Sequence, residues 1–373
     1  MFLLRLVAPC LLLCLSMMFG PSASAASDVE EWTKLNARKT ELVAKLKQLQ
    51  QDYRLAKGEE AKEKIATEFE TIRTEFLSKV LPKLGELAPK VYAADPKNTE
   101  AGEAALELAF QANRYDDAVK YAEQLMAGGD ESPIVQNMAG ISLFAIHEFD
   151  KAHQVLSAAE KSGKLDPRLG GRYLESSVEY AEMWKKEQAI RAAEAQLQGD
   201  KQLPRVKFNT TKGPIVFELF ENEAPNAVAN FVSLVESKTY DGVKFHRVIP
   251  TFMAQGGDPL SKDEDPSNDG TGGPGYVIDC ECYQPNARMH FRGSLSMAHA
   301  GKNTGGSQFF ITHLPTAHLN PSAAEERGHT VFGRVIEGLD IAAALEVGDT
   351  IESATVIRKR KHDYKPKTKP EAR

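Results

Sequence analysis

Phe245-His-Arg-Val-Ile-Pro-Thr-Phe-Met-Ala-Gln-Gly-Gly-Asp258 crowds an arginine, two large apolar side chains and a glutamine into the span from Arg247 to Gln255, with Pro250 near its centre. Phe245 to Ile249 has the β-branched and aromatic content of a strand, Ile249-Pro250-Thr251 reads as a turn, and Phe252 to Gln255 begins a second short strand. Arg247, Met253 and Gln255 share sequence parity, so a turn that folds the two strands together sets them on one face. Alone, such a segment is an ordinary hairpin with a surface arginine. Its neighbours change that reading.

Upstream, Val206 to Phe220 alternates as a hairpin turning at Lys212-Gly-Pro214, and Pro225 opens a helix whose Val228, Phe231, Val232 and Val235 face one way. Downstream, Gly270-Thr-Gly-Gly-Pro-Gly275 satisfies G-x-G-x-x-G. The strand-like Tyr276-Val-Ile-Asp-Cys-Glu-Cys282 follows where a dinucleotide site needs a helix N-terminus, which excludes that reading. Gly293-Ser-Leu-Ser-Met-Ala298 and Gly301 to Thr312 come next, with Leu295, Met297, Phe309 and Ile311 inward and Ala298, Gln308 and Phe310 on the opposite face. Gly328 to Val335 reads as a further strand and Gly338 to Leu345 as a second helix.

The motifs FHRVIPTFMAQGGDP, GSLSMAHAG, NTGGSQFFIT and HTVFGRV, in this order, resemble a cyclophilin-type peptidyl-prolyl cis-trans isomerase over residues 205–361. The resemblance implies a closed eight-stranded antiparallel β-barrel capped by two helices, no cofactor, and proline-containing peptides or unfolded segments as substrates. By the same resemblance Arg247 matches the catalytic arginine, with Gln255 beside it. Phe252, Met253, Phe310 and Leu319 match the wall of a proline pocket, and His329 matches the histidine next to it. Gln255, Ala298, His299 and Gln308 match the groove for the peptide backbone. His318 stands where many cyclophilins carry tryptophan, which removes an indole N–H and bears on cyclosporin binding.

The chemistry suits these residue types. Rotation about a prolyl amide faces a barrier of about 18–20 kcal/mol and breaks no bond, so it needs no nucleophile, acid pair or metal. A slot for the ring and a donor for the nitrogen lone pair that emerges as the amide twists are enough. Seven of the nine histidines fall between His246 and His362, yet no ligand spacing among them points to a metal.

The N-terminal half has helical periodicity. Leu42, Leu46, Leu49 and Tyr53, then Ile65, Phe69, Ile72, Phe76 and Val80, mark two amphipathic helices joined at Ala56-Lys57-Gly58-Glu59, a helical hairpin over 26–96. Across 97–198, Tyr115-Asp-Asp-Ala118 returns as Phe149-Asp-Lys-Ala152, and Pro133 as Pro167. Both displacements are 34 residues, the tetratricopeptide period. A third unit is degraded: Trp184 holds the aromatic place but Lys186 and Glu187 stand where alanine is wanted. These helical repeats read either as a concave surface for a protein partner or as a spacer. Residues 199–204 form a linker.

The fold expected is therefore multidomain α plus β, within a chain of 373 residues, 42% hydrophobic and 26% charged. A net charge of −6 argues against a nucleic-acid binder. Residues 1–25, with Arg5, an apolar run and Ala23-Ser24-Ala25, read as a signal peptide, which makes the mature protein exported, to the periplasm, cell envelope or beyond, with no integral membrane span. Cys280 and Cys282, about 6.6 Å apart at Cα if both lie in a strand, are expected as free thiols. Residues 362–373 read as a basic flexible tail. Two functions are open: an isomerase that assists folding of exported proteins, and a non-catalytic scaffold that binds proline-containing segments through the barrel and a partner through the repeats.

Overall fold

The computed structural model describes residues 23–322 and 326–371. All but the last three residues of the expected signal peptide lie outside that range. The chain divides into two compact units, residues 1–101 and 102–373, so the repeats belong to one body with the C-terminal domain.

In the first unit α1 (Ala23–Leu55) packs against α2 (Glu59–Glu75) and α3 (Leu81–Ala94). Gly58, at φ +91°, makes the turn between α1 and α2, a conformation that costs glycine little. A single wide turn, Phe76–Val80, joins α2 to α3 just before Pro82, which has no N–H to return to the preceding turn. Leu42, Leu49, Ile72, Leu84 and Leu87 are buried, and Arg38–Glu75 (2.8 Å) crosses the hairpin.

The second unit continues with α4 (Thr99–Gln111), α5 (Tyr115–Ala127), α6 (Pro133–Ala145), α7 (Phe149–Lys161) and α8 (Arg172–Ala195). The 34-residue period is present in the backbone as well as in the sequence. Asn113 and His147 are both left-handed, φ 57° and 70°; Gly129 and Gly163 are too, at 89° and 72°. Ser132 and Asp166 both accept a backbone N–H as helix caps just before a proline. Gly140 lets α6 and α7 meet, since a Cβ there would stand 2.4 Å from Leu156.

The C-terminal domain starts with β1 (Arg205–Thr210) and β2 (Gly213–Leu219), then α9 (Pro225–Glu236), β3 (Arg247–Ile249) and β4 (Met253–Gly256). After β5 (Tyr276–Val277) come β6 (Ser294–Met297), β7 (Phe309–Thr312), β8 (Val331–Glu337), α10 (Leu339–Ala343), β9 (Ile351–Arg358) and β10 (Lys369–Pro370). Eight strands form one curled antiparallel sheet in the order β3-β4-β7-β6-β8-β2-β1-β9. The expected closed barrel is not formed; the sheet is an open half-barrel with β3 and β9 at its edges. Backbone hydrogen bonds between residues 242–245 and 348–351 bring the approach to β3 against the start of β9, but the ladder stops there because β9 runs on opposite the turn at Lys238–Gly242 that follows α9 instead of opposite β3. The parity expectation holds: Leu295, Met297, Phe309 and Ile311 join Phe208, Phe217, Val228, Phe231 and Phe332 in the core beneath α9.

The strand expected through Cys282 ends at Val277, beyond which Cys280 N–H is met by Asn303 Oδ1 and Glu281 N–H by Thr330 Oγ1 instead of a ladder. Both thiols are free; Cys280 is half-buried and Cys282 buried. The segment expected as a flexible tail is docked through Glu371: Tyr364 is buried against the core, and β10 pairs with β5.

Candidate active site

Arg247 lies directly opposite Gln255 across the β3–β4 pair, and Gln255 opposite Phe310 across β4–β7. A residue and its cross-strand partner project from the same side of a sheet, so these three side chains share the outer face while Ala254 and Ile311 enter the core. The β3–β4 turn carries Thr251 at φ 58°, and Phe252 follows it.

On that face is a cavity of about 730 Å³. Phe252, Met253, Phe310 and Leu319 supply large apolar side chains to its wall; Arg247, Gln255, Ala298, His299, Gln308 and His329 also line it, and of the expected residues His318 does not. Met253 and Phe310 are buried, whereas Arg247 is exposed at the mouth. A polar chain runs from the arginine: Arg247 Nη1 donates to Gln255 Oε1 (3.4 Å), Gln255 Nε2 to Gln308 Oε1 (3.0 Å), and Gln308 Nε2 to the Gly270 and Gly272 carbonyls (2.9 Å each). Gln308 thereby has a fixed amide orientation, and Gln255 can offer only its oxygen to the guanidinium.

His329 stacks on His299 (4.0 Å) and meets Phe310 edge-on (5.4 Å), with Nδ1 at 2.9 Å from the Met297 carbonyl. Burial, and the neighbouring His299, push His329 down to about 4, which leaves a neutral ring beside the apolar wall. Phe310 is backed by His290 in a parallel stack (5.8 Å), and burial pushes His290 down to about 3. His318 departs from expectation. It is exposed and stands outside the cavity lining, with its ring against Phe252 (5.3 Å) and its carbonyl accepting from Arg327. The short 3₁₀ turn Ala317–Leu319 sends Leu319 inward and its predecessor out.

A second hollow, about 820 Å³ on α2, is lined by carboxylates, threonines, Ala66 and Lys79 without a large apolar side chain. Among the described residues no three His, Cys, Asp or Glu side chains are grouped to hold a metal ion, and no helix is long and apolar enough to cross a membrane. The apolar slot next to a single guanidinium is thus the site with chemistry to offer.

The sequence profile described as "Cyclophilin type peptidyl-prolyl cis-trans isomerase/CLD" matches residues 205–363. A peptidyl-prolyl cis-trans isomerase of Synechococcus elongatus is 49% identical over 152 residues, 40% of this chain and 94% of the relative. Peptidyl-prolyl cis-trans isomerase B of Bacillus subtilis is 50% identical over 142 residues, 38% of this chain and 90% of the relative. The chain belongs to the cyclophilin-type peptidyl-prolyl cis-trans isomerase family. Among solved structures, a Cryptosporidium parvum cyclophilin is similar at 31% identity and a TM-score of 0.35, covering 42% of this chain and 99% of that one.

Several groups that shape this cyclophilin's cavity went unnoticed in the sequence. Asp258, fully buried, accepts from the N–H groups of Leu260, Gly270 and Gly272 and so folds the glycine loop against the cavity. Gly272 is required for that fit, because a Cβ there would fall 2.1 Å from Asp258 Oδ1. The loop excluded as a nucleotide site is therefore a wall of this cavity.

The helical repeats hold the opposite side. Thr251 N–H donates to Asn113 Oδ1 (2.7 Å), and Asn113 Nδ2 to the Ala343 carbonyl (3.0 Å). Tyr180 O–H donates to the His290 carbonyl (3.1 Å) and accepts from Asn320 Nδ2 (2.9 Å). Arg292 is gripped by both repeat turns, with its side chain on Asp116 (2.9 Å) and the Asn113 carbonyl (3.2 Å) and its N–H on His147 Nε2 (3.3 Å). Glu187, the residue that spoils the third repeat, forms the buried pair with Arg288 (2.6 Å), and Glu194 bonds both Arg288 (2.6 Å) and Arg334 (2.8 Å). A charge had to replace alanine there because α8 lies on the arginines of the sheet.

Proposed function

We propose that this peptidyl-prolyl isomerase turns its substrate with Arg247 as the electrostatic catalyst. The proline ring sits between Phe252, Met253, Phe310 and Leu319, and the groove residues Gln255, Ala298, His299 and Gln308 hold the backbone. As the amide twists, its nitrogen lone pair is no longer shared with the carbonyl. The guanidinium then donates to it, an interaction that neither planar isomer offers. Gln255 steadies the guanidinium through its oxygen. Neutral His329 adds bulk to the slot without a second positive charge. No bond is made or broken and no cofactor is called for.

The observation that carries this is the cross-strand pairing of Arg247 with Gln255 at the mouth of an apolar cavity of about 730 Å³. Replacing Arg247 by alanine is expected to lower kcat/KM on a prolyl tetrapeptide about a hundredfold to a thousandfold. Equal rates for the two proteins would favour a scaffold that binds proline-containing segments without turning them over.

The clients we assign are exported proteins, on the strength of the signal-like residues 1–25, and the helices are read as tetratricopeptide-like units because their turns recur every 34 residues in both sequence and backbone. The turns bearing Asn113 and His147 are occupied by the isomerase domain, which leaves the faces away from those turns for a protein partner. Secretion of a fusion of residues 1–40 to a reporter tests the export reading; retention inside the cell counts against it.

A further inference from the structure

The family profile stops at residue 363, and the chain does not. Beyond it, Tyr364 is held by Glu221 (2.8 Å). Asn226 then clasps Lys367 at both backbone groups, accepting its N–H (2.6 Å) and donating to its carbonyl (3.1 Å). Lys369 and Pro370 next pair antiparallel with Val277 and Tyr276, with the Lys369 ammonium on Asp279. Lys369, Pro370 and Glu371 line the same cavity as Arg247 and Phe310. A proline suits this edge position, having no N–H for a further strand.

We propose that the edge of β5 is a second peptide-binding site continuous with the isomerase groove, selective for an extended Lys-Pro segment, and that the chain's own residues 367–371 occupy it in cis. Backbone pairing to Tyr276 and Val277 provides strand addition, and Asp279 provides the preference for a basic residue before proline. The proposal extends the site described above and rests on that cavity being the substrate groove. A client whose chain runs out of the proline slot along β5 must displace the tail, whereas a short peptide confined to the slot need not. Tethered binding is effectively intramolecular, so even a weak two-rung contact competes at millimolar effective concentration.

The test uses a chain ending at Lys365, the full chain, and full chain carrying Lys369→Glu. A fluorescein-labelled peptide with the sequence of residues 365–373 is expected to bind the truncated chain saturably, and the full chain at least about threefold more weakly. Asp279→Lys in the truncated chain is expected to abolish that binding. For a twelve-residue prolyl substrate with a lysine-rich flank, truncation and Lys369→Glu should each lower KM about threefold. Lack of peptide binding to the truncated chain, or the same long-substrate KM in all three proteins, overturns the proposal. Because the binding arm needs no turnover, an Arg247→Ala version of the truncated chain separates this failure from a failure of the catalytic assignment.

Discussion

On one side of the cavity the walls are held from outside the sheet: the turn before Phe252 hangs on Asn113, and the segment around Leu319 on Tyr180 through Asn320. On the other side the glycine loop is held from within, by Asp258 and Gln308 of the isomerase domain itself, with the C-terminal tail laid over β5. The first wall bears the apolar slot and is braced by helices that precede the family domain. The second is mostly backbone and borders a segment that follows it. The family fold by itself thus supplies the cavity face, while its neighbours in this chain determine how firmly each wall is held.

The joint between the helices and the sheet is where this contrast is easiest to break. Arg288 is almost fully buried, pairs with Glu187 and Glu194, and lies 3.8 Å over the Phe220 ring. Arg288→Ala takes one of two arginine partners from each buried carboxylate, leaving Glu187 with Arg191 and Glu194 with Arg334, and chemical denaturation should show a loss of about 1.5–3 kcal/mol. An unchanged midpoint would mean that the helices brace nothing.

Acid offers a graded way of loosening the same side. Burial holds His147 and His290 down to about 3 and His313 to about 4, below the ordinary histidine value near 6.5, so all three are neutral in the folded chain. The unfolded chain takes up these protons below pH 6.5, and the folded chain does not until about pH 4 for His313 and about pH 3 for His147 and His290. Their stabilising contribution is therefore whole above pH 6.5 and is lost as pH falls from 6.5 toward 4, by up to about 1.4 kcal/mol per pH unit for each group. Urea midpoints at pH 7 and pH 5 check the sign; a higher midpoint at pH 5 would contradict it.

A smaller effect sharpens the comparison between the walls. Asn113→Gly keeps the left-handed backbone but removes the carboxamide that accepts from Thr251 N–H. It should lower kcat/KM about fivefold to tenfold, and it should lower the denaturation midpoint as well, because the Ala343 carbonyl and Tyr115 O–H also lose their partner. Asn113→Asp, which keeps the oxygen that accepts from Thr251 N–H but loses the donor to the Ala343 carbonyl, should recover part of the rate and none of the midpoint. If both variants match the parent, the turn before Phe252 stands without help from the repeats.

Much of the cavity face was legible because it obeys the strictest local rule available, the two-residue alternation of strands. Arg247, Met253 and Gln255 share parity, and Phe310 has the opposite parity to Phe309 and Ile311, so the cavity face could be named from spacing and motif together. His318 escaped because a 3₁₀ turn has no such alternation. Sheet closure is a matter of how far two edge strands run side by side, and only residues 242–245, ahead of β3, reach the start of β9. Glu187 read as a defect in a repeat until the arginines opposite were in view. Two residues of the tail pair with two of β5, too few to leave a pattern in the sequence, and the net charge of +6 over residues 358–373 pointed to solvent.

The central claim is that the guanidinium of Arg247 favours the twisted amide over both planar forms. NMR exchange spectroscopy on an Xaa-Pro peptide, with parent and Arg247→Ala proteins at saturating peptide, measures binding and interconversion in one sample. The account predicts similar peptide affinity in both proteins, and an exchange rate in the variant about a hundredfold or more below that of the parent. Equal exchange rates at equal occupancy would contradict it.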